Sequence, residues 1–420
     1  MKRRYVLIGF LIVLLALALV AIACSDEDGG TSDDATETTA GETTGEPIKV
    51  GMVTSLTGNS AAPGVSIQNG AQYQVEYINS TGGINGRQIE LLIEDDKSEV
   101  TSMTAAMTKL IEEDGIDYFV GPFIQYGQEA GRQICEDAEI PMVGAGPVSL
   151  EQLAADAQYE WSVMMSAGPV TQADALVEMI KAHGYTNILA IADTLAIHQE
   201  TLIKLEERSA TEGFEITVLP DTFGLVLADP QSILNKIMEG YNSTKPDAIF
   251  TLSNPVAQPG LYQGLRNLGV TVPIHGSPAA AHPSIMAKGA DAVEGLYVMD
   301  SGGLVNPQVL PDDWAVKAFQ VDFYDRYKEH YGFAPDFFAA VGADYLIVLQ
   351  AAVDQAGGAD DPEAVRAALQ SLTDVVTLEG LQTYTPDKTY EGVTGFLVEY
   401  QIAVDPDTEK GVFEFVRTLN

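Results

Sequence analysis

Apolar and polar positions follow two different periods along the chain from Ile48 onward. Short apolar runs, such as Ile48–Thr54 and Tyr118–Val120, predict buried strands, whereas apolar residues three or four positions apart predict helices. Residues 99–114, for example, place five apolar side chains on one helical face. Because strand and helix patterns alternate without interruption, the sequence predicts parallel sheets that are covered by helices on both faces.

The alternation occurs in two consecutive sets, which predicts two α/β lobes. The first set has predicted strands at Ile48–Thr54, 87–94, Tyr118–Val120 and 141–143, and predicted helices at 65–79, 99–114 and 127–138. The second has predicted strands at 161–164, Asn187–Ala192, 215–219, Ala248–Leu252 and 273–275, and predicted helices at 170–183, 199–212, 230–239 and 260–267. Beyond a predicted strand at 296–298 come predicted helices at 314–331, Phe337–Ala356 and 362–372, and final predicted strands at 395–400 and 412–416.

The first 23 residues have the pattern of an export signal. Lys2, Arg3 and Arg4 precede an apolar run at 5–23, and small residues lead from this run to Cys24. The pattern resembles a bacterial lipoprotein signal, in which the cysteine is lipidated and becomes the new N-terminus. A run of this length could also span a bilayer as an uncleaved anchor. Either alternative places the remaining chain outside the cytoplasmic membrane and tethered to it.

Residues 24–47 predict a disordered acidic tether. Segment 25–47 carries eight acidic residues, no basic residue and almost no apolar side chain, so it cannot bury enough surface to fold. The whole chain has a formal net charge of −38, which argues against binding to nucleic acid or to anionic lipid surfaces. If Cys24 is lipidated, Cys135 has no partner for a disulfide, and we expect it to be a small buried hydrophobe.

A series of short motifs runs through the first lobe. In order, they are Ser55-Leu56-Thr57-Gly58, Gly82-Gly83-Ile84-Asn85-Gly86, Ile93-Glu94-Asp95-Asp96, Val120-Gly121-Pro122 and Glu139-Ile140-Pro141. Together with the alternation and the export signal, this series resembles the branched-chain amino-acid-binding family of extracellular solute-binding proteins, which serve ABC importers. The resemblance extends from about Ile48 to the C-terminus.

The resemblance implies a type I periplasmic binding fold. This is an α/β fold with two Rossmann-like lobes, parallel sheets, three hinge crossovers and a ligand cleft between the lobes. We expect the crossings near 166–169, 299–302 and 376–380, which divide the chain into a first lobe of 48–166 and 300–377 and a second lobe of 167–299 and 378–420. Because open α/β sheets bind ligands beyond the carboxyl ends of their strands, two such edges face each other across the cleft. Hinge closure then buries the ligand.

The resemblance also predicts ligand contacts in the first lobe. In relatives, the loop after the strand matching Tyr118–Val120 carries a small hydroxyl residue that holds the ligand carboxylate together with the following helix N-terminus. The next loop offers a backbone carbonyl and a threonine to the ligand ammonium. In this chain the corresponding residues, which are the expected contacts, are Gln125, Tyr126, Gly127, Gly146, Pro147 and Val148.

In the second lobe the expected contacts are Ile197, Asn254, Ser277 and Pro278. Relatives have aromatic residues near the positions of Ile197 and Asn254. Near the positions of Ser277 and Pro278 they have an acid that pairs with the ligand ammonium. Residues 276–279 of this chain include no acid. Because a buried ammonium needs a carboxylate or several acceptors, we hypothesise that the ligand is not an ordinary α-amino acid. A small neutral or weakly acidic molecule with an apolar or aromatic body fits better.

The predicted function is capture of a small organic ligand by lobe closure and delivery to the permease and ATPase subunits of an ABC importer. Two alternatives remain open: a ligand-sensing receptor with the same clamp, and branched-chain amino-acid binding despite the altered site. We expect a monomer held outside the membrane by a lipid anchor, with no nucleic-acid partner, no cofactor and no metal.

Catalytic motifs are missing from the sequence, so we do not expect an enzyme. His275 and His282 flank Ser277, but no Gly-x-Ser-x-Gly elbow surrounds that serine. Asp405, Asp407 and Glu409 lack the glycine and the distal glutamate of a calcium loop. The sequence also has no phosphate-binding loop and no dinucleotide fingerprint.

Overall fold

The computed structural model describes residues 45–420 except 124, 147, 155–157, 166, 225–226, 228, 255, 278–280, 287–288, 302–303, 391–396, 407, 409 and 420; the side chains of residues 125–126, 283–284 and 301 also lie outside the description. Within these residues the chain forms two large sheets and one small one. The two large sheets confirm the predicted two-lobed α/β fold.

The first sheet has five strands, all parallel to their neighbours. They are β1 (Ile48–Thr54), β2 (Ile89–Asp95), β3 (Tyr118–Val120), β4 (Met142–Ala145) and β5 (Ser162–Met165), in the order β2-β1-β3-β4-β5. In the register of the central strand, Val50 pairs with Leu91 on one side and with Tyr118 on the other. Helices cover both faces, so the central strands β1, β3 and β4 are apolar and mostly buried throughout.

The second sheet has seven strands and changes direction near one side. Its members are β6 (Asn187–Ala192), β7 (Glu215–Val218), β8 (Ala248–Leu252), β9 (Ile274–Gly276), β10 (Tyr297–Ser301), β13 (Leu397–Val404) and β14 (Gly411–Leu419). Their order is β14-β13-β10-β9-β8-β6-β7, parallel from β7 to β10 and antiparallel in the last two strands. The short strands β11 (Val375–Thr377) and β12 (Gly380–Gln382) form a separate antiparallel pair.

The described helices flank these sheets. They are α1 (Ala61–Ser80), α2 (Val100–Glu112), α3 (Gln125–Ala138), α4 (Leu150–Ala154), α5 (Pro169–His183), α6 (Ala196–Glu212), α7 (Pro230–Thr244), α8 (Gln258–Asn267), α9 (Lys317–Tyr331), α10 (Phe337–Ala356) and α11 (Pro362–Leu369). Cys135 in α3 is fully buried and burial raises the pKa of its thiol, which confirms the expected buried hydrophobe.

The described helix α10 is long and apolar enough to cross a membrane by composition, but most of it is buried inside the protein. It packs closely along α1, because glycines allow the two backbones to approach. A Cβ atom on Gly70 would lie 1.9 Å from the carbonyl oxygen of Ala339, and one on Gly342 would lie 2.0 Å from that of Ile67. We conclude that α10 is a core helix of the first lobe.

The packing differs from the predicted lobe division at three residues. Tyr384, which we assigned to the second lobe, belongs to the apolar core of the first sheet. Conversely, Leu310 and Trp314, which we assigned to the first lobe, pack in the core of the second. These boundaries depend on contacts between distant residues, which local periodicity does not report.

Candidate functional site

The carboxyl ends of β3 and β4 meet at the start of helix α3. This helix begins at Gln125, and Gly127 is buried in its first turn. Gly146 follows β4 with a φ of +136°, and a Cβ atom there would lie 2.2 Å from the carbonyl oxygen of Phe123, in the loop after β3. Because the first backbone N–H groups of a helix have no acceptor within it, this end can bind a carboxylate or carbonyl oxygen.

Gln128 fixes the position of this helix end. Its side chain is fully buried, and Nε2 donates to the carbonyl oxygen of Ala145 at 3.4 Å. The hydroxyl of Tyr390 donates to Gln128 Oε1 at 3.3 Å. The start of α3 is therefore held both by β4 and by a segment 262 residues further along the chain.

Val148 and Ile197 belong to one buried apolar cluster, which also includes Met164 and Tyr390. Val148 follows β4 in the first lobe, whereas Ile197 lies in the first turn of α6 in the second lobe. The two predicted contacts are therefore brought together by the structure, and the cluster they share connects the lobes. In the other apolar cluster of the first sheet, the Phe123 ring packs edge-to-face on Phe338, with ring centroids 5.4 Å apart.

An acid that we did not single out, Asp193, follows β6 at the carboxyl edge of the second sheet and is fully buried. Its Oδ1 accepts hydrogen bonds from the backbone N–H of Leu195 at 3.0 Å and from His198 Nδ1 at 2.7 Å. Its Oδ2 accepts from the backbone N–H of Asn254 at 3.0 Å and from the Asn254 side chain at 3.4 Å. Both oxygens are thus engaged by the protein's own donors.

The other predicted polar contacts of the second lobe also bond to neighbouring loops. Asn254 Oδ1 accepts from the backbone N–H groups of Val256 and Ala257, at 2.8 and 3.2 Å, and so stabilises the turn that leads into α8. Ser277 is fully buried, and its hydroxyl donates to the carbonyl oxygen of Ser253 at 2.5 Å. These side chains hold the second edge together, and a role in ligand contact stays a prediction.

The remaining predicted site residues are not covered. Pro147, Pro278 and the expected lipidation site Cys24 lie outside the described residues. For Gln125 and Tyr126 the backbone is described as the start of α3, but the side chains are not.

One ion pair joins the two lobes directly. His282 lies beside Ala281 and Ile285 of the second-lobe core, and its Nε2 is 2.9 Å from Oδ2 of Asp336, the N-cap residue of α10 in the first lobe. The other oxygen of Asp336 accepts from the Ser66 hydroxyl at 2.5 Å. Burial alone would raise the pKa of Asp336, but the hydrogen bond and the charge of His282 keep it below its usual value. We name this pair the interlobe ion pair.

Residues 47–396 match the model of a family described as periplasmic binding protein. The chain belongs to the periplasmic binding protein family. Members bind small molecules outside the cytoplasmic membrane, work with ABC transporters and are not enzymes. This confirms the predicted solute-binding class, the predicted non-enzymatic role and the extracytoplasmic location.

Several characterised periplasmic binding proteins are similar to this chain. The Leu/Ile/Val-binding protein BraC3 of Rhizobium johnstonii is 25% identical over 343 residues, which cover 80% of this chain and 87% of that protein. The Leu/Ile/Val-binding protein homolog 3 of Brucella melitensis is also 25% identical, with the same coverage of 80% and 87%. These relatives support the predicted branched-chain amino-acid-binding type of the family.

Solved structures share the fold. An extracellular ligand-binding receptor from Rhodopseudomonas palustris HaA2 is 21% identical, with a TM-score of 0.73, and the match covers 88% of this chain and 99% of that one. The branched-chain amino acid transporter substrate binding protein LivJ from Streptococcus pneumoniae, solved in complex with isoleucine, is 21% identical, with a TM-score of 0.70 and coverage of 88% and 100%.

In this periplasmic binding protein, three buried acids interact with one another electrostatically. Asp300 lies in β10, Asp344 in α10 and Glu379 in the turn between β11 and β12. Burial raises the pKa of Asp300 to about 8. Burial also raises the pKa of Asp344, and it raises that of Glu379 together with the charges of Asp344 and Asp300. We call these residues the buried acid cluster; with a pKa of about 8, Asp300 keeps its proton at neutral pH.

Sequence reasoning missed several residues that shape the site. Asp193 directly follows a predicted strand, so the rule that loops after strands carry contacts should have identified it. Gln128 lies only three residues after the predicted contact Gln125, in the same helix. His282 and Asp336 gave no local signal, because they come from different lobes and meet only in the folded chain.

Proposed function

We propose that this protein is a lipid-anchored receptor that captures a small organic ligand between its lobes and delivers it to an ABC importer. Family membership supports the solute-binding role, and contacts between the lobes at the interlobe ion pair and at the Val148–Ile197 cluster support capture by closure. The basic residues, the apolar run and Cys24 at the N-terminus support the anchor.

We further propose that the ligand has no protonated α-amine. The observation that carries this proposal is the state of Asp193, the buried acid at the second cleft edge. Four N–H donors of the protein already engage its two oxygens. Loop 276–279 supplies no acid by sequence. A buried ammonium in this cleft would therefore lack a carboxylate from the second lobe, at a cost of several kcal/mol.

The first lobe supplies what such a ligand needs. The N-terminus of α3 offers backbone N–H groups to a carboxylate or carbonyl oxygen. The paired rings of Phe123 and Phe338, with Val148 and Ile197, provide apolar surface near this end. The proposed ligand is thus a neutral or weakly acidic molecule whose polar end docks on the first lobe and whose apolar or aromatic body lies against these side chains.

A second candidate, branched-chain amino-acid binding, is favoured by two observations. The similar proteins from Rhizobium johnstonii and Brucella melitensis are named for Leu/Ile/Val binding. At the first cleft edge, Asp96 follows β2, and its buried Oδ2 has no hydrogen-bond partner among the described residues. However, burial raises the pKa of Asp96, which weakens it as a partner for an ammonium.

A ligand screen by thermal shift, followed by calorimetry, tests the ligand proposal. The panel contains leucine, isoleucine and valine beside short-chain acids, aromatic acids and amides. A ligand at a hundredfold excess over its Kd stabilises the protein by about 2.7 kcal/mol, which is readily detected. We expect shifts with acids or amides and none with the three amino acids. Micromolar binding of an amino acid that is lost in Asp96→Asn, but kept in the exposed control Asp360→Asn, would establish the second candidate.

The anchor has its own test. Cells that express the full chain are labelled with a radioactive fatty acid, and Cys24→Ala is compared with the wild type. We expect the wild type to be labelled and Cys24→Ala to be unlabelled. An unlabelled wild type that stays in the membrane fraction would favour the uncleaved anchor. Transport is distinguished from sensing by ligand uptake in cells that lack the gene: unchanged uptake with a lost transcriptional response favours a sensor.

A further inference from the structure

Two histidines and a glutamate that are distant in sequence meet on the second sheet. His183 ends α5, His275 lies in β9 and Glu399 lies in β13. One donor atom from each lies within 4.8 Å of the others. Glu399 Oε1 is 2.8 Å from His183 Nε2 and 3.5 Å from His275 Nδ1. Three donors bound to one zinc ion have similar spacings, about 3.4 Å apart.

His275 offers a nitrogen without a partner. Its ring is fully buried, and Nδ1 has no hydrogen bond among the described residues, although it points at the Glu399 carboxylate. The other nitrogen, Nε2, is 3.2 Å from the hydroxyl of Tyr185. A proton held on Nε2 by this hydroxyl leaves the lone pair on Nδ1, which is the arrangement that metal-binding histidines need.

Aromatic stacking holds both imidazole rings in place. His275 is stacked between Phe250 and Tyr297, with centroid distances of 4.7 Å to each and interplanar angles of 13° and 18°. The His183 ring lies parallel to the Tyr185 ring at 4.9 Å. The donor atoms are therefore oriented before any ion arrives, which lowers the ordering cost of binding.

Arg417 is the competing cation in this cluster. Its Nε lies 2.9 Å from Glu399 Oε2, and its Nη2 is 3.5 Å from His183 Nε2. The guanidinium thus pairs with Glu399 Oε2, which also lies 3.1 Å from His183 Nε2, and leaves Oε1 between the two imidazoles. Its side chain is 30% exposed, so it can move toward solvent. A nearby positive charge lowers the affinity for a second cation but does not block the three donors.

We propose that His183 Nε2, His275 Nδ1 and Glu399 Oε1 bind one divalent transition-metal ion of the zinc class, with solvent completing its coordination. Two imidazoles and one carboxylate suit zinc, cobalt and nickel rather than calcium or magnesium. The ion takes the place of the hydrogen bond between His183 Nε2 and Glu399. His183 binds as a neutral imidazole with its proton on Nδ1: a neutral ring moves its Nε2 proton to Nδ1, and a protonated ring releases its Nε2 proton to solvent.

The ion would join three elements of the second lobe. It connects the end of α5 to β9 and to the antiparallel strand β13. His183 precedes the amino end of β6, whereas the cleft loops follow the carboxyl ends of the strands. The site is therefore away from the cleft, and its role is to stabilise the second lobe, independently of which solute the protein binds.

Cobalt titration of the purified full-length chain in mild detergent, after treatment with a chelator, tests the site. Co²⁺ gives visible absorption bands that report nitrogen and oxygen donors, and Zn²⁺ should displace it. We expect one Co²⁺ per chain, a thermal midpoint raised by Zn²⁺, and at least tenfold weaker binding in His183→Ala and Glu399→Gln. His330→Ala, which removes a partly exposed histidine 3.7 Å from Glu76, is the matched control and should bind as the wild type does.

The variant Arg417→Gln distinguishes a metal site from a purely structural network of ion pairs. Because it removes the competing charge, we expect it to tighten Co²⁺ binding several-fold. Weaker binding in Arg417→Gln, absence of a saturable cobalt band, or wild-type binding in His183→Ala would each overturn the proposal. If Glu399→Gln does not fold, His183→Ala still decides, since that position lies at a helix end and is only partly buried.

Discussion

The cleft edges of the two lobes use their polar groups in different ways. At the first edge, the N-terminus of α3 and the loop at Gly146 bring backbone groups together, with apolar side chains beside them. At the second edge, the polar side chains of Asp193, Asn254 and Ser277 form hydrogen bonds with the loops around them. The difference teaches that polar residue types at a cleft do not by themselves predict ligand contacts. In the proposed function, the first lobe supplies the polar contact with the ligand, and the second lobe mainly supplies a rigid wall.

The largest expected effect is at Gly146, where the two loops of the first edge touch. A Cβ atom there would lie 2.2 Å from the Phe123 carbonyl oxygen, and its φ of +136° is unfavourable for alanine. We expect Gly146→Ala to lower the free energy of unfolding by about 3–5 kcal/mol, measured by urea denaturation. The control is Gly213→Ala in the second lobe, which has a φ of +83° and open space around it, and should cost about 1 kcal/mol. Equal losses in the two variants would mean that the loops of the first edge are not in close contact.

Away from the two edges, Asp300 of the buried acid cluster makes the stability of the folded protein depend on pH. In the unfolded chain its pKa is about 3.9, and in the folded protein burial raises it to about 8. The folded state therefore retains a proton that the unfolded state loses, so stability falls as pH rises from about 4 to about 8. Between pH 5 and 8 we expect Asp300 to account for a loss of up to about 4 kcal/mol.

Asp300→Asn should remove most of this slope, because asparagine keeps an oxygen for the backbone N–H of Val305 and does not ionise. Urea midpoints measured at several pH values check the prediction, with the exposed variant Asp360→Asn as the control. An Asp300→Asn protein with the same pH slope as the wild type would show that Asp300 ionises normally in the folded state.

At the second edge, Asp193→Asn separates a structural role from a ligand-binding one. In this variant an amide NH2 group replaces one carboxylate oxygen and faces N–H donors that have lost their acceptor. We therefore expect the free energy of unfolding to fall by about 2–3 kcal/mol. At temperatures where Asp193→Asn is folded, its affinity for the ligand found in the screen should be less than tenfold weaker than that of the wild type. Abolished binding together with unchanged stability would mean that Asp193 contacts the ligand directly.

The smallest expected effect concerns the contact between the edges. His282→Ala removes the interlobe ion pair, which we expect to form only when the lobes are closed. We expect about fivefold weaker ligand binding, equivalent to about 1 kcal/mol, with little change in stability. A double-mutant cycle with Asp336→Asn, which retains the helix cap, isolates the pair, and His330→Ala is the control. A coupling energy of zero would remove the ion pair from the closure mechanism.

The sequence predicted the fold well where elements are long or fully buried. The bounds of β1, β6, β8 and α10 agree with the predicted ones, because buried strands and a core helix leave continuous apolar runs. Helix α4 and the pair β11–β12 were missed, since segments of three to five residues are too short to show a period. The lobe to which Tyr384 belongs could not be predicted, because it depends on contacts between residues that are distant in the sequence.

The site was less predictable than the fold for a physical reason. Loop positions could be inferred from strand ends, and Gly146 and Val148 lie in the loop after β4 at the first cleft edge. The sequence could not show that Ser277 and Asn254 bond to neighbouring loops, because each hydrogen bond depends on backbone geometry in another loop. Similarly, His183 and Glu399 are 216 residues apart, so no spacing motif marks their cluster.

The central claim is that the second cleft edge has no free carboxylate for a ligand amine and that the ligand docks on the first lobe. Leucine and 4-methylpentanoate share a side chain and a carboxylate and differ in the α-amine. Calorimetric titration of the wild-type protein with this pair tests the claim most directly. We expect 4-methylpentanoate to bind at least tenfold more tightly than leucine, a difference of about 1.4 kcal/mol or more. Tighter binding of leucine would contradict the account.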